Sequence, residues 1–362
     1  MNLLPNDPAR TGLPEGLRIF RTDGPFALES GDVLPSLQIG YNTFGRLNQR
    51  KDNVVWVCHA LTANSNPVDW WPGFVGPGCT INPEKHFIVC ANMLGSCYGS
   101  TGPASPLPER RIPYYHDFPP VTIRDLVRAH TLLRQHLGIE QIRLLIGGSM
   151  GGQQVLEWAV HEPEVVQQIA AIATNAQHSP WGIAFNAAQR MAIEADPSYY
   201  HRSLTGGQNG LAAARAIAML SYRSYTAYER TQTDDRSRKF RDFRAESYQR
   251  YQGDKLVHRF SPHSYVTLSR AMDSHDLGRS RGPVEEVLQS IRARALLIGV
   301  TTDELFPVTE QRFLSQHIPN AIYAEVDSSY GHDGFLIETE QLSYILESHL
   351  AIKTDQPVEA AS

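Results

Sequence analysis

The hydrophobic pattern divides the chain into three regimes. Residues 18–20, 26–28 and 37–41 are short apolar-rich runs separated by Gly, Pro and Asp, the pattern of β-hairpins. From residue 53 onward the apolar runs become continuous. Residues 53–58, 86–90, 142–146 and 168–174 read as strands buried on both faces. Helical periodicity lies between them. Residues 122–137 place Ile123, Leu126, Val127, Leu132 and Leu133 on one face, with Thr122 as predicted N-cap, Asp125 at the capping-box position and Gly138 as the stop. Residues 153–160 carry Val155, Leu156, Trp158 and Ala159 and end at Glu162-Pro163. Strands alternating with helices predict a mainly parallel sheet covered on both faces.

The alternation stops near residue 177. Residues 181–195, 210–222 and 263–274 read as helices, and 229–259 is dense in Arg, Asp, Lys and Tyr, the composition of a solvated helix face. The sheet pattern then returns, with strands at 295–300 and 321–326 and helices at 309–317 and 339–351. The predicted organisation is one α/β core, residues 1–176 and 284–362, interrupted by a helical insertion at 177–283. Such an insertion commonly covers the carboxyl edge of the sheet, where ligands bind.

Composition adds limits. The length of 362 residues suits one large domain carrying an insertion, and a net charge of -5 gives no reason to expect nucleic acid or an anionic membrane as partner. No apolar run approaches a membrane span, and residues 1–7 lack the basic-then-apolar order of a signal peptide. Cys58, Cys79, Cys90 and Cys97 form no Cys-x-x-Cys pair, and Cys58 and Cys90 fall inside strand-like runs. Buried thiols in a reduced cytoplasmic compartment are the expectation. Residues 353–362 are polar and expected to fray.

The chemistry concentrates at Gly147-Gly148-Ser149-Met150-Gly151-Gly152, which joins a predicted strand to a predicted helix. Gly-x-Ser-x-Gly in other contexts is only a glycine-rich turn. In this context it is a nucleophile elbow, which lifts a serine hydroxyl clear of the sheet beside the first amides of a helix. A serine needs a base, and the base needs a carboxylate to fix its tautomer. On such an elbow the order is Ser, acid, His. His332 follows the last predicted strand, and Asp303 leaves the end of the strand before it; Glu304 and Asp327 are its rivals. The bland readings are a solvated loop histidine and a turn-capping carboxylate. The oxyanion donors are expected to be the backbone N–H groups of Met150 and Leu61, with His59 as a brace for the Leu61 loop. This much predicts an enzyme forming an acyl-serine, with either water or another acceptor completing the reaction.

A wider set of motifs resembles the homoserine O-acetyltransferases. It comprises His59-Ala60-Leu61-Thr62, Asn92-Met93-Leu94-Gly95, Thr122-Ile123-Arg124-Asp125, the elbow, Gln252-Gly253-Asp254-Lys255, Arg270-Ala271-Met272-Asp273 and Gly331-His332-Asp333-Gly334, spread from about residue 40 to 350. The resemblance implies an α/β-hydrolase fold whose inserted helices form a lid and a homodimer contact. It implies acetyl transfer from acetyl-CoA, a co-substrate rather than a bound cofactor, to L-homoserine on the route to methionine, with no metal. It carries the triad onto Ser149, Asp303 and His332. It carries the amino-acid site onto Arg215, Tyr222 and Asp333, with Arg215 for the carboxylate and Asp333 for the ammonium. Asn64-Ser65-Asn66 and Gln153-Gln154 depart from the commoner pattern, both expected near the acyl pocket. The alternatives are an O-succinyltransferase acting on homoserine or serine, an esterase or thioesterase on the same triad, and a non-catalytic binding protein.

Overall fold

The computed structural model describes residues 13–107, 112–235 and 239–350. The polar segment 353–362 therefore lies outside the described residues. An eight-stranded sheet forms the centre. Its strands are β1 Arg18–Thr22, β2 Leu37–Phe44, β3 Val54–Cys58, β4 Phe87–Ala91, β5 Leu144–Gly148, β6 Gln168–Ile172, β7 Arg294–Val300 and β8 Ala321–Val326. Their spatial order is β1-β2-β4-β3-β5-β6-β7-β8. The β1–β2 and β2–β4 pairings are antiparallel, and the others are parallel.

The continuous apolar runs follow from burial on two sides. Trp56, Leu145, Ala171 and Leu297 enter one core, and Val57, Ile146, Ile172 and Ile298 enter the other. Successive residues of a strand point to opposite faces, so each face needs its own apolar set.

Helices α1 Ile123–His136 and α2 Met150–His161 lie within the first half of the core. The capping box of α1 is formed: Thr122 Oγ1 accepts from the Asp125 amide, and Asp125 Oδ2 accepts from the Thr122 amide at 3.1 Å. Arg124 of the same motif bridges Glu29 at 2.6 Å and Glu157 of α2 at 3.3 Å. Glu157 also takes Arg281, and Glu29 takes Arg279 at 2.8 Å. One charge network thus ties the N-terminal hairpin, α1 and α2 to the far end of the insertion.

Between β6 and β7 run α3 Pro180–Glu194, α4 Gln208–Tyr222, α5 Tyr225–Gln232, α6 Arg244–Val257 and α7 Pro262–Asp273. The charged stretch is helical in two pieces, α5 and α6. Helix α6 buries only Gly253 and Leu256. The insertion packs onto loops at the carboxyl end of the sheet: a Cβ on Gly95, in the loop after β4, would sit 3.0 Å from Thr267 of α7. Helices α8 Val308–His317 and α9 Thr339–His349 complete the core.

Two boundaries at the elbow differ from the periodicity. The elbow strand runs to Gly148 because Gly147 and Gly148 keep register with Cys58 and Ile172. Helix α2 starts at Met150, earlier than its apolar face suggests, because the turn at Ser149 sets the first helical residue.

Candidate active site

Ser149 sits between β5 and α2 at φ 58° and ψ −127°. Positive φ is costly for a residue with a Cβ and persists only where its surroundings impose it. Here the Ser149 amide donates to the Ile172 carbonyl at 2.9 Å, and its carbonyl accepts from Thr174 Oγ1 at 2.9 Å. A Cβ on Gly147 would lie 2.6 Å from the Gly151 carbonyl carbon and 2.7 Å from the Cys58 oxygen. The elbow therefore closes only with glycine on both sides of Ser149, as its motif predicts. The first amides of α2 have no intrahelical acceptor, and with the helix dipole they make a site for a developing negative charge.

Asp303 and His332 meet at the same edge of the sheet. Asp303 leaves β7 and is 4% exposed; His332 follows β8 and is 3% exposed. His332 Nδ1 lies 2.6 Å from Asp303 Oδ2. Asp303 Oδ1 accepts from the amides of Leu305 at 2.8 Å and Phe306 at 2.9 Å. With Nδ1 donating to the carboxylate, Nε2 is left as the basic nitrogen. Glu304 and Asp327 are both exposed, and Asp327 faces Thr301. The imidazole is held among rings: Phe306 at 5.2 Å, Phe335 at 5.3 Å and Tyr222 at 5.7 Å between centroids. Phe335 also packs on Gly148, where an added Cβ would fall 2.5 Å from its ring. The same ring thus touches the histidine and the residue preceding Ser149.

The loop after β3 completes the elbow's surroundings. His59 is buried, with Nδ1 2.9 Å from the Ala60 carbonyl and Nε2 accepting from the Met93 amide at 3.3 Å. Burial pushes its pKa down to about 4, so it is neutral and braces the loop. Leu61 is buried beside it. Gln154 Nε2 donates to the His59 and Met150 carbonyls, each at 3.2 Å, and so joins this loop to the start of α2. In the sequence, Gln154 stands out only as part of a dipeptide that departs from the commoner pattern. The other departures are internal too: Gln153 Nε2 donates to Asn175 Oδ1 at 3.1 Å, and the Ser65 hydroxyl bonds Asn42 and Asn92.

Of the amino-acid residues named by resemblance, Tyr222 lies against His332, 5.7 Å between ring centroids. Arg215 and Tyr222 share one face of α4, with the guanidinium 5.3 Å from the ring centroid. Burial pushes the Tyr222 hydroxyl's pKa upward. Asp333 follows His332 and carries a partner that the sequence did not reveal: Arg223 Nε lies 2.7 Å from Asp333 Oδ2.

A family model described as the α/β hydrolase fold matches residues 53–339. A homoserine O-acetyltransferase of Cyclobacterium marinum is 50% identical over 330 residues, covering 91% of this chain and 94% of that one. The chain belongs to the homoserine O-acetyltransferase family. Among solved structures, the homoserine O-acetyltransferase from Bacillus anthracis matches with TM-score 0.85 at 23% identity, over 94% of this chain and 98% of that one. Esterase E22 matches with TM-score 0.83 at 22% identity, over 93% and 99%. The fold is therefore shared by acyltransferases and esterases, and membership of the acetyltransferase family rests on the sequence identity. The Thr122–Asp125 motif is a structural staple, and the Gly331–Gly334 motif holds the His332 that faces Asp303. Among the described residues, no group of three His, Cys, Asp or Glu side chains could hold a metal ion, and no helix is long and apolar enough to cross a membrane.

Proposed function

We propose that this protein transfers acetyl from acetyl-CoA to the side-chain hydroxyl of L-homoserine through an acetyl-Ser149 intermediate. The observation that carries this reading is Tyr222, which lies between the Arg215 guanidinium and the His332 ring, with Asp333 next to His332 in the chain. A zwitterionic acceptor needs one cation and one anion near the attacking hydroxyl, and a guanidinium reads a carboxylate well. An ester or water needs neither.

In this reading His332 Nε2 takes the proton from Ser149 Oγ as the oxygen attacks the thioester carbonyl carbon. The oxyanion lies between the amides of Leu61 and Met150. The C–S bond breaks, and His332 returns its proton to the departing coenzyme A sulfur. Homoserine then binds through Arg215 and Asp333. His332 takes the hydroxyl proton, the new C–O bond forms, and Ser149 Oγ leaves and is reprotonated. Asp303 holds the imidazole throughout. The inserted helices, residues 177–283, act as the lid that keeps water from the acyl-serine. They also form a homodimer contact, for which exposed Leu220, Tyr225, Phe240 and Tyr251 provide apolar surface. Acetyl-CoA serves as co-substrate without a resident cofactor, in a reduced cytoplasm.

The test is release of coenzyme A with and without homoserine, alongside the mass of the acyl-protein. Fast release that requires homoserine, and a protein heavier by one acetyl group after acetyl-CoA alone, are expected. Release at the same rate without homoserine would make it a thioesterase. Acylation by succinyl-CoA in preference to acetyl-CoA, or transfer to serine over homoserine, would reassign donor or acceptor.

A further inference from the structure

Asp333 is not waiting alone for a substrate ammonium. Its carboxylate side chain is only 14% exposed and already faces the Arg223 guanidinium, which is 23% exposed. The backbone of this pair is fixed. Residues 222–224 press on the histidine loop: a Cβ on Gly331 would lie 2.8 Å from the Ser224 amide and 3.0 Å from the Tyr222 carbonyl. The Ser224 hydroxyl bonds the Ser329 carbonyl. The side-chain contact is looser. Arg223 offers Asp333 its Nε at 2.7 Å, yet that N–H is not aligned as a hydrogen bond. The pair is thus a point contact of charges and lacks the two-pronged fork that makes Arg–carboxylate pairs strong.

A second polar group lies close to Arg223. With Ala227, Tyr228, Thr231 and Tyr248, Arg223 lines a small cleft. The Tyr228 hydroxyl in that cleft is buried and has no hydrogen-bond partner among the described residues. A phenolic oxygen can accept from a guanidinium.

We propose that Arg223 is a built-in stand-in for the acceptor's ammonium. It neutralises Asp333 in the empty site and swings onto the Tyr228 hydroxyl when an amino-acid acceptor takes Asp333 over. The inference rests on the reading of Asp333 as the ammonium's partner. Arg223 is then a positioning and specificity residue: it sets how strongly the site favours an acceptor that carries an amino group. A half-buried carboxylate left unpaired is costly. With Arg223 present, an acceptor without an ammonium leaves Asp333 paired. With Arg223 removed, only an ammonium can relieve it.

The test compares L-homoserine with 4-hydroxybutanoate, which is homoserine without its amino group, at saturating acetyl-CoA on the full chain. Arg223→Gln is expected to raise the ratio of the two kcat/KM values by roughly tenfold, the effect of uncovering a buried charge. Arg223→Lys, which keeps the charge, is expected to stay within about threefold of the natural ratio. Tyr228→Phe, an isosteric change that removes the docking oxygen, is expected to lower kcat/KM for homoserine about threefold or more, and to affect 4-hydroxybutanoate less. General damage to the fold would lower both acceptors together and leave the ratio in place. An unchanged or lower ratio in Arg223→Gln overturns the stand-in role. If that variant does not fold, the Tyr228→Phe result decides, and equal effects on both acceptors overturn the proposal. No transfer to homoserine by the unsubstituted protein would remove the underlying functional reading; transfer with an unmoved ratio removes only the role of Arg223.

Discussion

Asp303 divides its two oxygens between the chain and the base: Oδ1 receives the Leu305 and Phe306 amides, and Oδ2 lies 2.6 Å from His332 Nδ1. Asn at this position can keep the loop bonds through its carbonyl oxygen. Its NH2 would then face Nδ1 and favour the tautomer with the proton on Nε2, which cannot act as base. Asp303→Asn is expected to lower kcat for acetyl transfer by about 10⁴, the loss this change causes in a serine–histidine–aspartate protease. The melting temperature should move little. A loss of activity smaller than about tenfold would show that Asp303 is not the orienting acid.

Gly151 of α2 packs directly on the end of β3 and the start of the loop after it. A Cβ there would collide with the Cys58 carbonyl and reach 3.3 Å from the His59 carbonyl carbon. The obstacle is backbone on both sides and cannot rotate away. Gly151→Ala is expected to cost about 1–3 kcal/mol of stability and to displace the Leu61 amide from its partner amide at Met150. Thermal melting and kcat test this together. A variant with normal stability and normal kcat would mean that the loop yields freely and that the close approach has no part in the oxyanion site.

The elbow and the continuous buried strands were legible because each has a local signature. Val54 to Cys58 is buried at every residue, so its run is continuous. His332 and Asp303 were found from the order of strands, since both leave the same edge of the sheet. The ends of β5 and α2 were less legible. Gly147 and Gly148 look like turn residues, yet they are strand, because strand register is set by neighbours far along the chain. Helix α6 was visible only as a charged run, because it turns most of its surface to solvent and meets α4 through Gly253. Arg223 carried no signal at all. Its partner Asp333 lies far along the sequence, and nothing near Ser221-Tyr222-Arg223-Ser224 marks that cation as paired.

Buried neutral histidines make stability depend on pH. Burial pushes His59, His178 and His263 down to about 4, and His130 and His275 down to about 3. Unfolded, each would titrate near 6.5. Below that value the unfolded chain binds protons that the folded chain refuses, so stability falls as pH falls. The contribution is whole above about pH 6.5 and is lost progressively toward pH 4. Denaturant midpoints should be level from pH 7 to 8 and decline from pH 6.5 to 5, before most carboxylates titrate. A level midpoint between pH 7 and 5 would contradict the burial of these rings as neutral groups.

Substitution of Arg215 is expected to separate the two half-reactions. Its guanidinium is stacked on Tyr222, beside the base, on a helix of the insertion. The acetyl thioester has no carboxylate at its reacting end, so formation of the acyl-serine should not depend on this charge. The acceptor's carboxylate should. Arg215→Gln is expected to raise KM for homoserine roughly 10- to 100-fold, the worth of a charge-assisted hydrogen bond. The first burst of coenzyme A from acetyl-CoA alone should change less than about threefold, because no ground-state contact of the thioester is removed. Arg215→Lys should recover only part of the loss, since a point charge replaces a planar fork. Stopped-flow release of coenzyme A and steady-state transfer measure the two steps separately. Equal damage to both would mean that Arg215 supports the lid around Ser149 instead of reading the acceptor, and the amino-acid site would have to be sought elsewhere on the insertion.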